Sequence, residues 1–339
     1  MTATETTEVE MMQLPMVAAI NQTLAAALEA DEKVFLLGED IADPSGGVYK
    51  ATMGLSTRFG THRVRDTPIS EQAIMGAAIG AAIAGYRPVA EIMIMDFLAV
   101  CMDQLANHAA KLRYMSGGQT SVPITVRCSA GGGMQFGAQH SEMLEAWLCH
   151  IPGLKVVVPS GAGDAKGLLT SCIFDDDPCV FVEQTVGYFM PSEVPAGDYR
   201  IPLGQAAVRR EGDDLTIISY GRQVGDAVAV AEQLAGDGVS VEVVDLRTLV
   251  PLDTETVLTS VAKTGRAVVV HEAVTRCGFG AELSAVITEN VFDQLKAPVR
   301  RVGAKNTPVP YARELEAVFA PARDDIVAAV HQTIEGSSR

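Results

Sequence analysis

Two doubly wound α/β domains are predicted for this 339-residue chain, on three observations. Short Val/Ile-rich runs alternate with amphipathic segments along most of the sequence, the pattern of parallel sheets covered on both faces. Periodicity disappears between 184 and 204, where Pro191, Pro195, Gly197, Pro202 and Gly204 accumulate, and then resumes. The length fits two domains at about 150 residues each.

Pro15 opens a helix whose apolar residues Val17, Ile20, Leu24 and Leu28 recur at helical spacing. A strand over 34–37, a Gly/Pro/Ser loop and a helix over 71–84 ended by Gly85 follow. The first half continues with strands over 89–93, 124–127, 156–158 and 180–182, and helices over 97–114, 141–149 and 165–174. The second half has strands over 215–219, 241–245 and 267–271, with helices between and after them. The expected divisions are a disordered acidic tail (1–13), a first domain (14–190), a linker (191–205) and a second domain (206–339). Ligands of such sheets sit at the carboxyl ends of the strands.

A net charge of −16 argues against nucleic acid or anionic lipid as the main partner, since both would repel it. The six cysteines show no CxxC pair and no metal-site spacing, so they read as reduced thiols of a cytoplasmic protein. The start of the chain, MTATETTEVE, is acidic and has no apolar core, unlike a signal or transit peptide. The most apolar stretch, 72–86, is too short to span a bilayer and is broken by Arg87-Pro88.

Three glycine patterns invite other readings. Gly161, Gly163 and Gly167 follow a strand and precede a helix, and Glu183 ends the next strand, like a dinucleotide-binding fingerprint. The third glycine comes one residue late and Pro159-Ser160 interrupts the turn, so a plain strand-to-helix turn with Asp164 as N-cap is favoured over a nicotinamide site. Gly236-Asp237-Gly238 reads as a helix stop, and Gly278-Phe279-Gly280 as a packing device.

Chemistry concentrates in the first half. Ser70 is a natural N-cap and Glu71 enters the first helical turn, where the dipole favours a carboxylate. Gly76, Ala77, Ala78, Gly80, Ala81 and Ala82 allow that helix to pack closely on a neighbour and so bury Glu71, leaving a carboxyl able to exchange a proton near neutral pH. Phe97 follows a strand, glycine loops lie at Gly117-Gly118 and 131–133, and His140 stands before a predicted helix.

Together the segments LLGED, TPISE, EIMIMDF, RYMSGG, AQHSE, IPGLKVV and DAKGLL, with DLRTLVPLD, VVVHEA and GFGAE farther on, resemble the β subunit of heterotetrameric thiamine-diphosphate-dependent 2-oxo acid dehydrogenases. That family includes the pyruvate, branched-chain and acetoin enzymes, and the resemblance runs from about residue 14 to about residue 330. It implies a thiamine-diphosphate pyrimidine-binding domain followed by a transketolase C-terminal-like domain. It further implies an oxidoreductase that cleaves a 2-oxo acid or acetoin and passes the acyl group to a lipoyl-lysine of an acyltransferase component. Activity would need an α subunit in an α₂β₂ heterotetramer, and that subunit would carry most of the diphosphate and magnesium site.

By the same resemblance, Glu71 hydrogen-bonds an aminopyrimidine ring nitrogen, Phe97 packs on the pyrimidine, and Glu39 and Ile69 line the pocket. His140 faces the substrate and the arriving lipoyl group, and His271 with Glu272 falls at a subunit interface. Some members hold a structural potassium ion, and the matching positions are Ile124, Cys172, Ile173, Asp175 and Asp177. The alternatives are the C-terminal half of a split transketolase and, on the Gly161 turn, a nicotinamide-dependent oxidoreductase.

Overall fold

The structure is a computed structural model and describes residues 10–336. In chain order the first half contains β1 (Met11–Pro15), α1 (Met16–Ala30), β2 (Val34–Gly38), α2 (Leu55–Phe59), β3 (Val64–Asp66), α3 (Glu71–Ile83), β4 (Arg87–Ile94), α4 (Ala110–Met115) and β5 (Thr125–Ala130). Then come α5 (Glu145–Cys149), β6 (Lys155–Val157), α6 (Ala162–Ile173), β7 (Cys179–Gln184) and β8 (Pro191–Pro195). The second half holds β9 (Ala207–Arg210), β10 (Leu215–Ser219), α7 (Gln223–Ala235), β11 (Val241–Asp245), β12 (Thr248–Val250), α8 (Thr254–Thr264), β13 (Ala267–Val274), α9 (Phe279–Val291), β14 (Arg300–Ala304), α10 (Arg313–Glu316) and α11 (Arg323–Glu335).

Two mostly parallel sheets result. The first has the order β12-β6-β7-β5-β4-β2-β3 and the second β14-β13-β10-β11-β9. Each carries one antiparallel edge strand, β12 on β6 and β9 on β11. The central strands β5 and β7 are buried along their whole length, as helices on both faces require. One face of the first sheet packs on α1 and α6, and the outer face of the second on α7 and α11. Between the sheets a single apolar core runs from Ile74 and Val126 through Ile218 and Val244 to Leu283, so the domains share their interior.

Several expectations are corrected. Residues 1–9 of the expected tail lie outside the described residues, but Met11–Pro15 is a strand. It pairs antiparallel with Pro191–Pro195, which turns part of the expected linker into structure. The first sheet borrows its edge strand, β12, from the second half of the chain. The helix expected over 97–114 instead winds as a 3₁₀ turn (Met95–Cys101), a π segment (Gln104–Ala109) and α4, local changes of pitch that a 3.6-residue pattern cannot register. The helix expected over 141–149 is only Glu145–Cys149; residues 141–144 are irregular, with the Leu144 amide turned to Met95 Sδ at 3.3 Å. The α6 helix starts at Ala162 rather than 165. Its N-cap is Gly161, and Asp164 instead pairs with Arg247 at 2.9 Å and with Arg209.

The domains are also tied by polar groups. Glu145 is fully buried and accepts a 2.5 Å hydrogen bond from Tyr220 Oη across the domain boundary, while its second oxygen has no partner. Burial pushes its pKa up to about 7, with the Tyr220 hydrogen bond opposing. In the unfolded chain a glutamate titrates near 4.3, so the folded protein keeps a proton that the unfolded chain gives up. Stability is therefore fully present below that value and falls as pH rises toward 7, by on the order of 3 kcal/mol. Glu145→Gln removes this titration. Denaturant melts should show the variant gaining on the native protein between about pH 4.5 and 7; a stability difference independent of pH overturns the assignment.

Candidate active site

Four neighbouring parallel strands, β5-β4-β2-β3, end on one edge of the first sheet, and each delivers a predicted residue just beyond its carboxyl end. β3 leads through Thr67-Pro68 to Ile69 and Glu71, β2 to Glu39, β4 to Phe97, and β5 through the glycine loop to His140. The sheet thus gathers residues that are about a hundred positions apart in sequence, because parallel βαβ connections return each strand end to the same side.

Glu39 and Glu71 are neighbours. Burial raises the pKa of Glu39, the Glu71 charge raises it further, and the Ser70 backbone amide opposes both. The Glu71 charge also reaches Cys101, at the end of the 3₁₀ turn that carries Phe97, whose thiol burial lifts to about 12. Phe97 and His140 meet edge to face, with ring centroids 5.3 Å apart. Ile69 is 83% exposed, projecting from the edge rather than into this chain.

Ser70 occupies the N-cap position of α3, but its hydroxyl turns to the Pro68 carbonyl at 3.4 Å and caps no helix amide. The close neighbour expected for α3 is not found among the described residues: Ala73, Gly76, Ala77 and Gly80 are exposed, and a Cβ at Gly76 or Gly80 would meet nothing within 4 Å. Glu71 is accordingly only half-buried. A helix apolar on every face calls for a partner on the open side.

Sequence reasoning missed Asp96. Both its carboxylate oxygens are enclosed, with the Ser141 and Glu142 amides close by but outside good hydrogen-bond geometry, and it lies within the electrostatic reach of His140. Burial raises its pKa, opposed by nearby backbone amides and by the His140 charge. An acidic residue directly before Phe97 was the available signal. Glu272 and Glu316 were also missed as parts of this region. His271 and Glu272, expected at a subunit interface, are both buried within this chain. Burial pushes the His271 pKa down to about 4, and Glu272 accepts hydrogen bonds from Gln184 at 2.7 Å, Arg222 at 2.6 Å and the Gly132 amide at 2.8 Å. Glu316 accepts from the amides of Gly133 at 2.8 Å and Gln135 at 3.1 Å. No spacing in the sequence links these second-domain acids to the loop.

The positions matching a potassium site do not converge on a cation through their carboxylates. Asp175 is held by Lys155 at 2.7 Å, and Asp177 by Arg113 at 2.6 Å. The backbone carbonyls of Ile124 and Cys172 accept from Cys179 and Asp175. Among the described residues, no group of three or more His, Cys, Asp or Glu side chains is placed to hold a metal ion.

The other glycine patterns are resolved by packing. A Cβ at Gly163 would lie 2.7 Å from the Glu193 carbonyl, and one at Gly167 would lie 2.7 Å from Tyr199, so the Gly161 turn is closed by the 192–201 segment where a pyrophosphate would need to sit. Gly278 and Gly280 lie against the His271 ring, and Gly236 ends α7.

Comparison with known families matches residues 12–188 to the transketolase pyrimidine-binding domain and residues 204–326 to the transketolase C-terminal domain. The β subunit of acetoin:2,6-dichlorophenolindophenol oxidoreductase from Bacillus subtilis is 46% identical, over 91% of this chain and 94% of that protein. The pyruvate dehydrogenase E1 β subunit of Staphylococcus epidermidis is 44% identical, over 96% of this chain and 100% of that protein. A solved split-gene transketolase, described as an inactive β4 tetramer, superposes with a TM-score of 0.79 at 22% identity over 96% of this chain and 99% of that one, a likeness of fold. Among the described residues no helix is long and apolar enough to cross a membrane.

The loop between β5 and His140 gives a local test. Gly133 has φ +106°, and a Cβ there would lie 2.6 Å from Val186 Cγ2, whereas a Cβ at Gly132 would meet Glu316 at an ordinary 3.4 Å. Gly133→Ala should cost about 1–3 kcal/mol of strain. Gly132→Ala, whose Cβ meets only ordinary contacts, should cost less. Denaturant unfolding of both variants checks the contrast; equal losses refute it.

Proposed function

This chain belongs to the transketolase-like β-subunit family that includes the pyruvate and acetoin dehydrogenase β subunits, and we propose that it forms the pyrimidine-binding side of a thiamine-diphosphate site completed by an α subunit. The observation that carries this reading is the convergence of Glu39, Glu71, Phe97 and His140 at four adjacent strand ends, beside an α3 face that no described residue covers. An acid pair next to an aromatic ring on an open edge fits a polar heteroaromatic ring such as an aminopyrimidine.

When bound, thiamine diphosphate would supply a carbon nucleophile for a donor carbonyl. Glu71 would hold the aminopyrimidine by a hydrogen bond from its carboxyl group and would exchange a proton with it. Phe97 packs on the ring face, and Glu39 and Ile69 line the rim. His140, braced against Phe97 and within the field of Asp96, faces the substrate and the lipoyl-lysine of an acyltransferase component. The α subunit holds the diphosphate and most of the magnesium coordination, in an α₂β₂ assembly in the cytoplasm. The donor is a 2-oxo acid or acetoin. Potassium at Ile124, Cys172, Ile173, Asp175 and Asp177 fits poorly while Lys155 and Arg113 occupy the two carboxylates, and no step depends on it. Aldehyde transfer of the transketolase kind is disfavoured because the relatives at 44–46% identity are oxidoreductase subunits.

Two experiments test this function. Purified alone, the chain should bind thiamine diphosphate weakly and turn over neither pyruvate nor acetoin; adding its α subunit should give an α₂β₂ tetramer by light scattering, with activity. Turnover by the chain alone refutes the half-site reading. In the assembled enzyme, Glu71→Gln keeps the size and a hydrogen bond but cannot transfer the proton. Exchange of the thiazolium proton into deuterated water should slow by about 10² to 10⁴. The melting temperature should hardly move, and Glu71→Asp should be intermediate. If Glu71 only sits at a helix start, exchange survives in both variants and the defect is about 1 kcal/mol of stability.

A further inference from the structure

The loop that carries His140 has few resources of its own. Its backbone is left-handed at Gly131, Gly133, Gln135 and Gly137, and the side chains of Met134, Gln135 and Phe136 are exposed. What fixes it comes from the other domain. Glu272 takes the Gly132 amide, and Glu316 takes those of Gly133 and Gln135. Bonds from amides to a carboxylate are roughly twice as strong as neutral ones.

The two acids differ in what else they hold. Glu272 also pairs with Arg222 and Gln184. Glu316 is 7% exposed, and among the described residues its carboxylate accepts hydrogen bonds from the loop amides alone. It ends the short helix α10, beside an apolar cluster of Ala304, Val309 and Phe319. A buried carboxylate aimed at two peptide amides of a glycine loop, from about 180 residues away in sequence, ties the second domain to that loop. His140 is at its far end, its amide 3.4 Å from the Gly137 carbonyl.

We propose that Glu316 is a positioning residue: it fixes the 133–137 loop so that His140 meets the lipoyl acceptor, which makes the second domain part of the transfer step. The inference rests on the role given to His140 above. Gln at 316 removes the charge and turns an NH₂ toward the Gln135 amide in place of the oxygen that accepts from it at 3.1 Å, weakening the hold on the loop. Asp keeps the charge with a shorter reach.

The test uses the assembled enzyme with its α subunit, a donor that it turns over, and a free lipoylated domain as acceptor. Glu316→Gln should lower acyl transfer at least about tenfold, the low end of what a misplaced group costs, while thiamine diphosphate affinity and melting temperature change little. Glu316→Asp should recover part of the loss. The double variant Glu316→Gln/His140→Ala should be no slower than His140→Ala, since residues acting as one unit are non-additive. Normal transfer in Glu316→Gln beside impaired transfer in His140→Ala overturns the proposal and leaves the reading of His140 standing. Losses that multiply in the double variant, or a matching collapse of cofactor affinity, also overturn it. Normal transfer in His140→Ala removes the reading of His140 and the proposal together. If Glu316→Gln does not assemble, Glu316→Asp is judged by the same cycle.

Discussion

Arg127 stands in the middle of the first sheet, almost wholly shut from water, and binds carboxylates on both neighbouring strands. Its guanidinium grips Glu183 of β7 with two bonds of 2.7 and 2.8 Å and reaches Glu91 of β4 at 2.7 Å. Tyr188 donates a further 2.5 Å bond to Glu183. A buried ion pair is a poor source of net stability, because desolvation offsets much of its attraction, yet removing one partner strands a charge and costs about 3–5 kcal/mol. Its consequence here is registry. Arg127 stands opposite Glu91 in the β4–β5 ladder, and a one-residue slip would send these side chains to opposite faces of the sheet. The register it holds sets where β4 and β5 end, and therefore where Phe97 and the His140 loop begin.

The second domain extends this order. Its acids reach into the loops of the first: Glu272 and Glu316 collect glycine-loop amides, while Tyr220 engages Glu145. On the other side of the molecule Asp164 of α6 is bound by Arg209 and Arg247. With a shared apolar core and a strand lent from one half to the other, the domains are not independent modules. Loops rich in left-handed glycines have little intrinsic order, and carboxylates from a separate rigid element are an efficient way to fix them.

The edge that carries the candidate site is also where the chain is least finished. The small-residue face of α3 is open and Ile69 projects outward. Such features suit a surface completed by another subunit, and they explain why Glu71 is less enclosed here than its proposed role requires. The same small residues that allow a backbone to approach closely leave a gap when none does.

The sequence by itself determined the two α/β domains, the near-correct strand positions and the identity of the residues at the strand ends, because alternating hydrophobic runs and short motifs such as TPISE and AQHSE are local signals. It could also tell that the Gly161 turn lacked a proper phosphate cradle. Tertiary structure alone decided the rest. Whether Glu71 was buried depended on which helix faced α3, and the irregular winding of 95–109 on how that segment packs over the sheet. That Met11–Pro15 pairs with Pro191–Pro195, or that Thr248–Val250 joins the first sheet, depended on contacts between distant segments. Asp96 and Glu316 showed only as isolated acids in the sequence. Their significance comes from burial and from which amides or rings they meet, quantities fixed by chain folding over separations that no periodicity encodes.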